Sequence, residues 1–225
     1  MRIYIDKKVR EDFPDLEILA TLMENLKVRG EDPDLETLKA NVFAEIKSKY
    51  NIESLKDTPS VRAYREFFWR IGIDPTKNRP AAEALIRRVL LGNPIPKINT
   101  FVDSLNIASM KSEVAIGSFD ADKISKETII MRYSNRGEVF HGIGMGKPIV
   151  LNGSEIILSD AIGPIAIYPH RDSERTKITE ATRRAILIFC GVPGVDVDML
   201  RRAMSITIEL VSKFCGGSPK QLEVE

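Results

Sequence analysis

The sequence is poor in the residues that would place it in several specialised classes of protein. Its 225 residues include 2 cysteines, Cys190 and Cys215, without a CxxC spacing, which excludes a disulfide-rich scaffold and a four-cysteine zinc site. The 2 histidines, His141 and His170, have no partners at metal-ligand spacing. No apolar run approaches the roughly 18 residues that a membrane span needs, and Met1–Lys8 contains no apolar signal core. These absences predict a cytoplasmic protein with no metal and no membrane partner.

What is present is an ordinary globular composition with balanced charge. Lys and Arg number 33, Asp and Glu number 32, and 43% of the residues are hydrophobic. This predicts a single domain over residues 1–225, present as a monomer or a weak homo-oligomer. A net charge of +1 excludes a uniformly basic polyanion-binding protein but allows a local basic patch. Residues 142–146 are rich in glycine but lack the spacing and the following helix of a nucleotide-binding loop, so we expect no cofactor.

Helix-start signals are concentrated in the first half of the chain. Asp32-Pro33 and Thr58-Pro59 each place a capping residue before a proline, and Pro80 precedes a third amphipathic segment. Residues 32–92 are therefore expected to form a helical subdomain. Trp69 lies beside an aromatic cluster on the second helix, and we expect it to pack in the core.

The second half of the chain consists mainly of short apolar runs separated by turn residues, which is typical of antiparallel sheets. Asn152-Gly153 has the residues of a two-residue hairpin turn. Thr100 and Asp103 resemble a capping box at the start of a helix over residues 101–110. A C-terminal helix is expected over residues 196–215. The fold class predicted is α+β: a mostly antiparallel, β-rich domain with three-layer, sandwich-like sheets, an N-terminal helical subdomain and a C-terminal helix.

A long polar segment, residues 168–184, separates two Ile-rich runs that read as buried strands, Pro164–Ile167 and Ala185–Phe189. It contains four arginines, one histidine and several hydroxyl groups. Loops of this length between core strands are often functional, and guanidinium and hydroxyl groups suit a phosphate or a carboxylate. A solvated loop without a ligand is an equally good interpretation of this segment alone.

Two motifs resemble the editing (tRNA-binding) domain of the phenylalanyl-tRNA synthetase β subunit. One is the Val-Asp-x-x-Asn helix in residues 99–106, and the other is the Phe-Asp-x-Asp-Lys-Ile strand exit in residues 115–124. The resemblance covers about residues 60–192 and implies an editing-domain-like α/β core over residues 98–192. It also favours a strand within residues 16–28, where the periodicity fits a helix as well. No aminoacylation core accompanies these motifs, so the chain is similar to a free-standing relative of the domain.

The resemblance implies a trans-acting deacylase that hydrolyses mischarged aminoacyl-tRNA, with the tRNA acceptor end as its partner. A non-catalytic tRNA- or RNA-binding module is the alternative, and an amino-acid- or metabolite-binding protein is a weaker one. We expect a cleft between the helix that carries Asn106 and the loop of residues 170–182. The catalytic candidates are Asn106, Asp172, Ser173, Glu174, Thr176 and Thr179. The RNA-binding candidates are His170, Arg171, Arg175, Lys177, Arg183 and Arg184. Two positions depart from the family pattern, because Gly117 replaces a histidine and Ile188 replaces a glutamate.

Overall fold

The structure is a computed structural model that describes residues 1–225, and it has the α+β architecture expected from the sequence. The six α-helices are α1 (Lys7–Asp12), α2 (Pro33–Lys49), α3 (Pro59–Arg70), α4 (Ala81–Leu90), α5 (Thr100–Ser112) and α6 (Val197–Cys215). The eleven strands are β1 (Arg2–Ile5), β2 (Ile18–Glu24), β3 (Ala115–Asp120), β4 (Thr128–Tyr133), β5 (Val139–Phe140), β6 (Ile149–Val150), β7 (Ile156–Ser159), β8 (Pro164–Ile167), β9 (Arg171–Asp172), β10 (Ala185–Cys190) and β11 (Ser218–Leu222). No helix is both long and apolar enough to cross a membrane.

The strands form two main sheets and one small ribbon. The first sheet has the order β1-β4-β7-β8-β9 and is antiparallel except for the β1–β4 pair. The second has the order β11-β2-β10-β3 and is antiparallel throughout. The ribbon consists of β5 and β6. The sequence therefore predicted β1, at the edge of its sheet, and the strand within residues 16–28 correctly.

One large hydrophobic core joins the two main sheets and the helices, and a separate cluster of 4 buried residues lies at the ribbon. The large core is a continuous cluster of 56 buried residues drawn from both main sheets and from every α-helix. Helices α5 and α6 pack against each other, and both contact the second sheet, α5 at β3 and α6 at β2 and β10. Helix α4 packs on α5 and α2 and also reaches β3. Burial on this scale supplies the main driving force for folding.

Three local expectations from the sequence are wrong. Trp69 is 57% exposed, because its neighbours Phe67 and Phe68 already fill the buried face of α3. The N-cap of α5 is Asn99 rather than Thr100: Asn99 Oδ1 accepts the N–H groups of residues 101 and 102. Asp103 instead accepts a 2.8 Å hydrogen bond from the ammonium group of a buried lysine on α2.

The third correction concerns Asn152-Gly153, which does not connect the two strands of a hairpin. Strand β6 before this turn pairs with β5, whereas β7 after it pairs with β4 and β8. The Glu155 carboxylate accepts the backbone N–H groups of both turn residues. The turn therefore transfers the chain from the ribbon to the first sheet.

Candidate active site

A cavity of ≈ 150 Å³ lies where β3 meets the ends of β8 and β10 and the segment 168–172. Eight of its 13 lining residues are hydrophobic, and the charged or imidazole side chains among the others are His170, Arg171 and Asp172. Two wider cavities, of ≈ 370 and ≈ 520 Å³, adjoin it, because His170 and Arg171 line all three. This combination of an apolar wall and a few converging polar groups is typical of a small-ligand site.

Hydrogen bonds at both ends fix the segment 168–172 over β3. The Tyr168 hydroxyl donates to the carbonyl oxygen of Gly191, just after β10, and the Tyr168–Pro169 peptide bond is cis. At the other end, the Ser118 backbone N–H on β3 donates to Asp172 Oδ2 over 3.0 Å. Residues 168–172 are thus held to the second sheet at two points, which keeps the cavity walls in place.

The Asp172 carboxyl group is the most perturbed acid of the site. Its burial raises its pKa from 3.8 to about 7, and the hydrogen bond from the Ser118 N–H offsets only part of this effect. Asp172 Oδ2 takes that hydrogen bond, while Oδ1 accepts none from the protein. A carboxyl group that titrates near neutral pH and has a free oxygen suits proton transfer.

His170 and Cys190 remain uncharged beside this carboxyl group. Burial and the neighbouring Arg171 guanidinium lower the pKa of His170 to about 4, so its imidazole is neutral at physiological pH. Its ring packs edge-on against Phe68 with 5.9 Å between the centroids, and Nδ1 is buried without a hydrogen-bond partner. Burial, followed by the charge of Asp172, raises the pKa of the Cys190 thiol. The thiol therefore stays protonated and is not an activated nucleophile.

Residues 63–216 match the family model of the B3/4 domain. The chain belongs to the B3/4 domain family. Its similar proteins include the phenylalanine–tRNA ligase β subunits of Protochlamydia amoebophila, 25% identical over 126 residues, and Bartonella henselae, 27% identical over 150 residues. Each match covers 56% of this chain but only 16% and 18% of the respective relative.

A solved structure supports the fold of this B3/4 domain. It is an N-terminal fragment of the phenylalanyl-tRNA synthetase β subunit from Pyrococcus horikoshii, with a TM-score of 0.54 and 17% sequence identity. The match covers 100% of this chain and 51% of that one. The family model and the similar ligase β subunits confirm the resemblance of residues 99–124 to a phenylalanyl-tRNA synthetase β-subunit domain, whereas a free-standing editing domain stays a prediction.

The two positions at which the sequence resemblance implies a departure from the synthetase pattern, Gly117 and Ile188, are neighbours in space. Gly117 on β3 pairs directly with Ile188 on β10, and directly opposed residues of antiparallel strands point to the same face. A Cβ atom built on Gly117 would lie 3.5 Å from Asp172 Oδ1 and 3.3 Å from the ring of Phe119. Because Gly117 has no side chain, the space next to the Asp172 carboxyl group stays open.

Most of the charged candidates in the loop are bound to other groups of the protein. Arg175 forms a bidentate salt bridge to Asp160, at 2.7 and 3.0 Å, and the Asp160 side chain is fully buried. Lys177 pairs with Glu174, and Arg184 lies 3.0 Å from an Asp122 carboxylate oxygen. Arg183 is exposed and donates to two backbone carbonyl oxygens. Charges that are already paired contribute less to binding a polyanion than free ones do.

The uncharged candidates lie outside the walls of the three adjoining cavities. The Ser173 hydroxyl accepts the Arg175 N–H and caps a short turn, Thr176 is fully buried, and the Thr179 N–H donates to a neighbouring threonine hydroxyl. Asn106 is half-buried on α5, and no residue of α5 lines these cavities. The structure therefore brings together His170, Arg171 and Asp172, with β3 rather than α5 as the opposite wall.

One group of residues on this side of the molecule was not among the sequence candidates. The ≈ 520 Å³ cavity is lined by cations from α4 and the loop before it: Lys77, Arg79, Arg87 and Arg88. The sequence does show that α4 is amphipathic and carries Arg87 and Arg88. It does not show that this face of α4 lies against residues 170–171, which depends on tertiary packing. No group of three or more His, Cys, Asp or Glu side chains is positioned to hold a metal ion.

Proposed function

We propose that this B3/4 domain hydrolyses the ester bond between a wrongly attached amino acid and the 3′ end of a tRNA. The observation that carries the proposal is the Asp172 carboxyl group, with a pKa of about 7, in an apolar cavity of a family whose similar proteins are tRNA ligase subunits. An aminoacyl ester is already activated, so hydrolysis needs a positioned water and a base rather than a covalent nucleophile. The protonated Cys190 is consistent with that requirement.

In this mechanism Asp172 acts on water. The free Oδ1 of Asp172 accepts a proton from a water molecule while the water oxygen attacks the ester carbonyl carbon. The bond between that carbon and the ribose oxygen then breaks, and the protonated Asp172 returns the proton to the ribose oxygen. The products are the free amino acid and a tRNA with its terminal hydroxyl restored. The Arg171 guanidinium at the cavity mouth is placed to bind a phosphate or the developing oxyanion.

The apolar part of the cavity would receive the amino-acid side chain. Its wall there consists of residues such as Ala115, Ile116 and Leu158, and the ≈ 150 Å³ volume limits what can enter. An engineered apolar cavity of about 150 Å³ holds a benzene molecule. The side chain accepted in this cavity therefore has at most about the size of one six-membered ring.

A second candidate is a tRNA-binding module without catalysis. The resemblance to the synthetase editing domain implies a histidine at the position of Gly117 and a glutamate at that of Ile188. Gly117 lines the cavity, and Ile188 pairs with it on the neighbouring strand. A domain that lost these groups would keep the shape of the site while losing the reaction. The two candidates predict the same binding but different turnover.

Release of radiolabelled amino acid from a panel of aminoacyl-tRNAs tests the proposal. The wild-type protein should release at least one amino acid faster than the uncatalysed rate, and Asp172→Asn should lower that rate at least 100-fold, within the range assigned to general-base catalysis. The matched control is Asp198→Asn, because Asp198 is an exposed acid on α6 away from the cavity. Release at the uncatalysed rate for every amino acid, with tRNA still bound, would support the binding module instead.

A further inference from the structure

The ≈ 520 Å³ cavity beside the Asp172 site forms a groove in which every charged lining side chain is basic. Two of these cations, Lys77 and Arg79, lie 3.9 Å from the acids Asp74 and Glu83 outside the lining. Five of its 11 lining residues are cationic, namely Lys77, Arg79, Arg87, Arg88 and Arg171, and none is Asp or Glu. This concentration of one charge is unusual in a chain with a net charge of +1. A groove lined by one sign of charge concentrates its counter-ions, so this basic groove attracts anions.

The arginines at the centre of the basic groove are not neutralised by acidic partners. Arg88 donates to the backbone carbonyl oxygen of Pro94, at 2.8 and 3.0 Å, and Arg87 donates to that of Ile52 at 3.5 Å. Neither arginine forms a salt bridge, and neither does Arg171, in contrast to the loop residues Arg175 and Arg184. Backbone carbonyls orient the guanidinium groups and leave their full charge available to a ligand.

The shape of the groove suits an extended chain of phosphates better than one isolated anion. Ala81, Ala84 and Arg88 recur at the three- and four-residue spacing of one helix face, so α4 presents two small side chains before its basic last turn. Small residues allow a ligand backbone to approach the helix closely. Asn78 and Asn93 on the same wall add amide donors and acceptors. The groove also meets the Asp172 cavity at His170 and Arg171.

We propose that the basic groove binds the sugar-phosphate backbone of the single-stranded 3′ end of a tRNA and directs its terminal nucleotide to Asp172. The proposal rests on the function proposed above and assigns the RNA path to α4 and the loop before it. Guanidinium groups match phosphate oxygens in a bidentate fork and stack on unpaired bases. An acidic protein segment could also pair with the cations of the basic groove, but it would not place an ester in the adjoining Asp172 cavity.

Salt-dependent tRNA binding by wild type and Arg87→Gln/Arg88→Gln tests this path. Each phosphate contact to single-stranded RNA contributes about 0.7 to the slope of log affinity against log salt. Loss of two contacts should reduce the slope by about 1.4 and weaken binding about 25-fold at 0.1 M salt. The charge-retaining variant Arg87→Lys/Arg88→Lys should keep the wild-type slope. Arg201→Gln/Arg202→Gln on α6, two exposed arginines outside the groove, is the matched control and should also keep it.

The outcomes separate this inference from the proposed function. An unchanged slope and affinity in the Gln/Gln variant would refute tRNA binding in the basic groove. Deacylation of a minimal aminoacyl-adenosine by the wild-type protein would still support the reaction at Asp172. A reduced slope in the Gln/Gln variant, with no deacylation of any substrate by the wild-type protein, would support tRNA binding in the basic groove and refute ester hydrolysis at Asp172. Binding of poly-glutamate as tight as that of tRNA would overturn the assignment to RNA.

Discussion

Replacing Asp172 by asparagine should make the folded protein more stable at neutral pH. Burial raises the pKa of Asp172 to about 7 in the folded protein, against 3.8 when the group is exposed. The two values differ by about 3, and each unit corresponds to about 1.4 kcal/mol, so the cost of holding the ionised form is at most about 4 kcal/mol. Asp172 is only half-buried, and solvent in the cavity should reduce this to ~2 kcal/mol.

The pH dependence of that difference has a definite sign. The folded state retains the Asp172 proton up to about pH 7, while the unfolded chain loses it near 3.8. The stability gained from this proton is therefore fully present below pH 3.8 and is lost as the pH rises to 7. The amide of the Asp172→Asn variant cannot titrate, so the variant should match wild type near pH 4 and exceed it by ~2 kcal/mol at pH 8.

Urea denaturation of both proteins from pH 4 to pH 8 measures this difference directly. Carboxyl groups with lowered pKa values, such as Glu113, Glu138 and Asp160, are present in both proteins and cancel in the comparison. A stability difference that is constant across this range, or a variant that is less stable at pH 8, would refute the raised pKa of Asp172.

Other substitutions test the loop and its supports. Arg175→Ala should lower the free energy of unfolding by about 3 kcal/mol in urea denaturation, because Asp160 would be left buried without its partner; its effect on tRNA affinity should be small in a filter-binding assay. Gly142→Ala would place a methyl group 2.4 Å from Arg171 Cδ, so the displaced guanidinium should weaken tRNA binding about fivefold at 0.1 M salt in that assay. Gly191→Ala would place a methyl group 2.3 Å from a backbone oxygen just before β2 and should cost about 3 kcal/mol or more in thermal denaturation. Changes below about 0.5 kcal/mol in the first and third variants, or unchanged binding in the second, would contradict these contacts.

The parts of the fold that depend on local pattern could be predicted from the sequence. Asp32 caps α2 through its side chain, because the Asp-Pro pair both satisfies the first N–H groups and starts the helix. The Ile-rich runs on both sides of residues 168–184 form β8 and β10, since fully buried strands need continuous apolar sequence. In each case the residues that decide the structure lie within a few positions of one another.

The site could be predicted only in part, because its geometry depends on distant partners. The sequence suggested that Arg175 was available to RNA, but its partner Asp160 lies on a different turn of the chain, 15 residues earlier. Strand β9 has two residues and is too short to show a period, yet it places Asp172 against β3. The direction in which α4 presents Arg88 is likewise set by packing on α5 and β3 rather than by its own sequence.

The pH dependence of single-turnover deacylation tests the central role of Asp172 most directly. After subtraction of the uncatalysed rate, the rate constant of the wild-type protein should rise tenfold per pH unit up to about pH 7 and level off above it, as Asp172 becomes ionised. Asp172→Asn should remove this pH-dependent rise. A wild-type profile without an inflection near pH 7, or an Asp172→Asn variant with the wild-type profile, would contradict the assignment of Asp172 as the base.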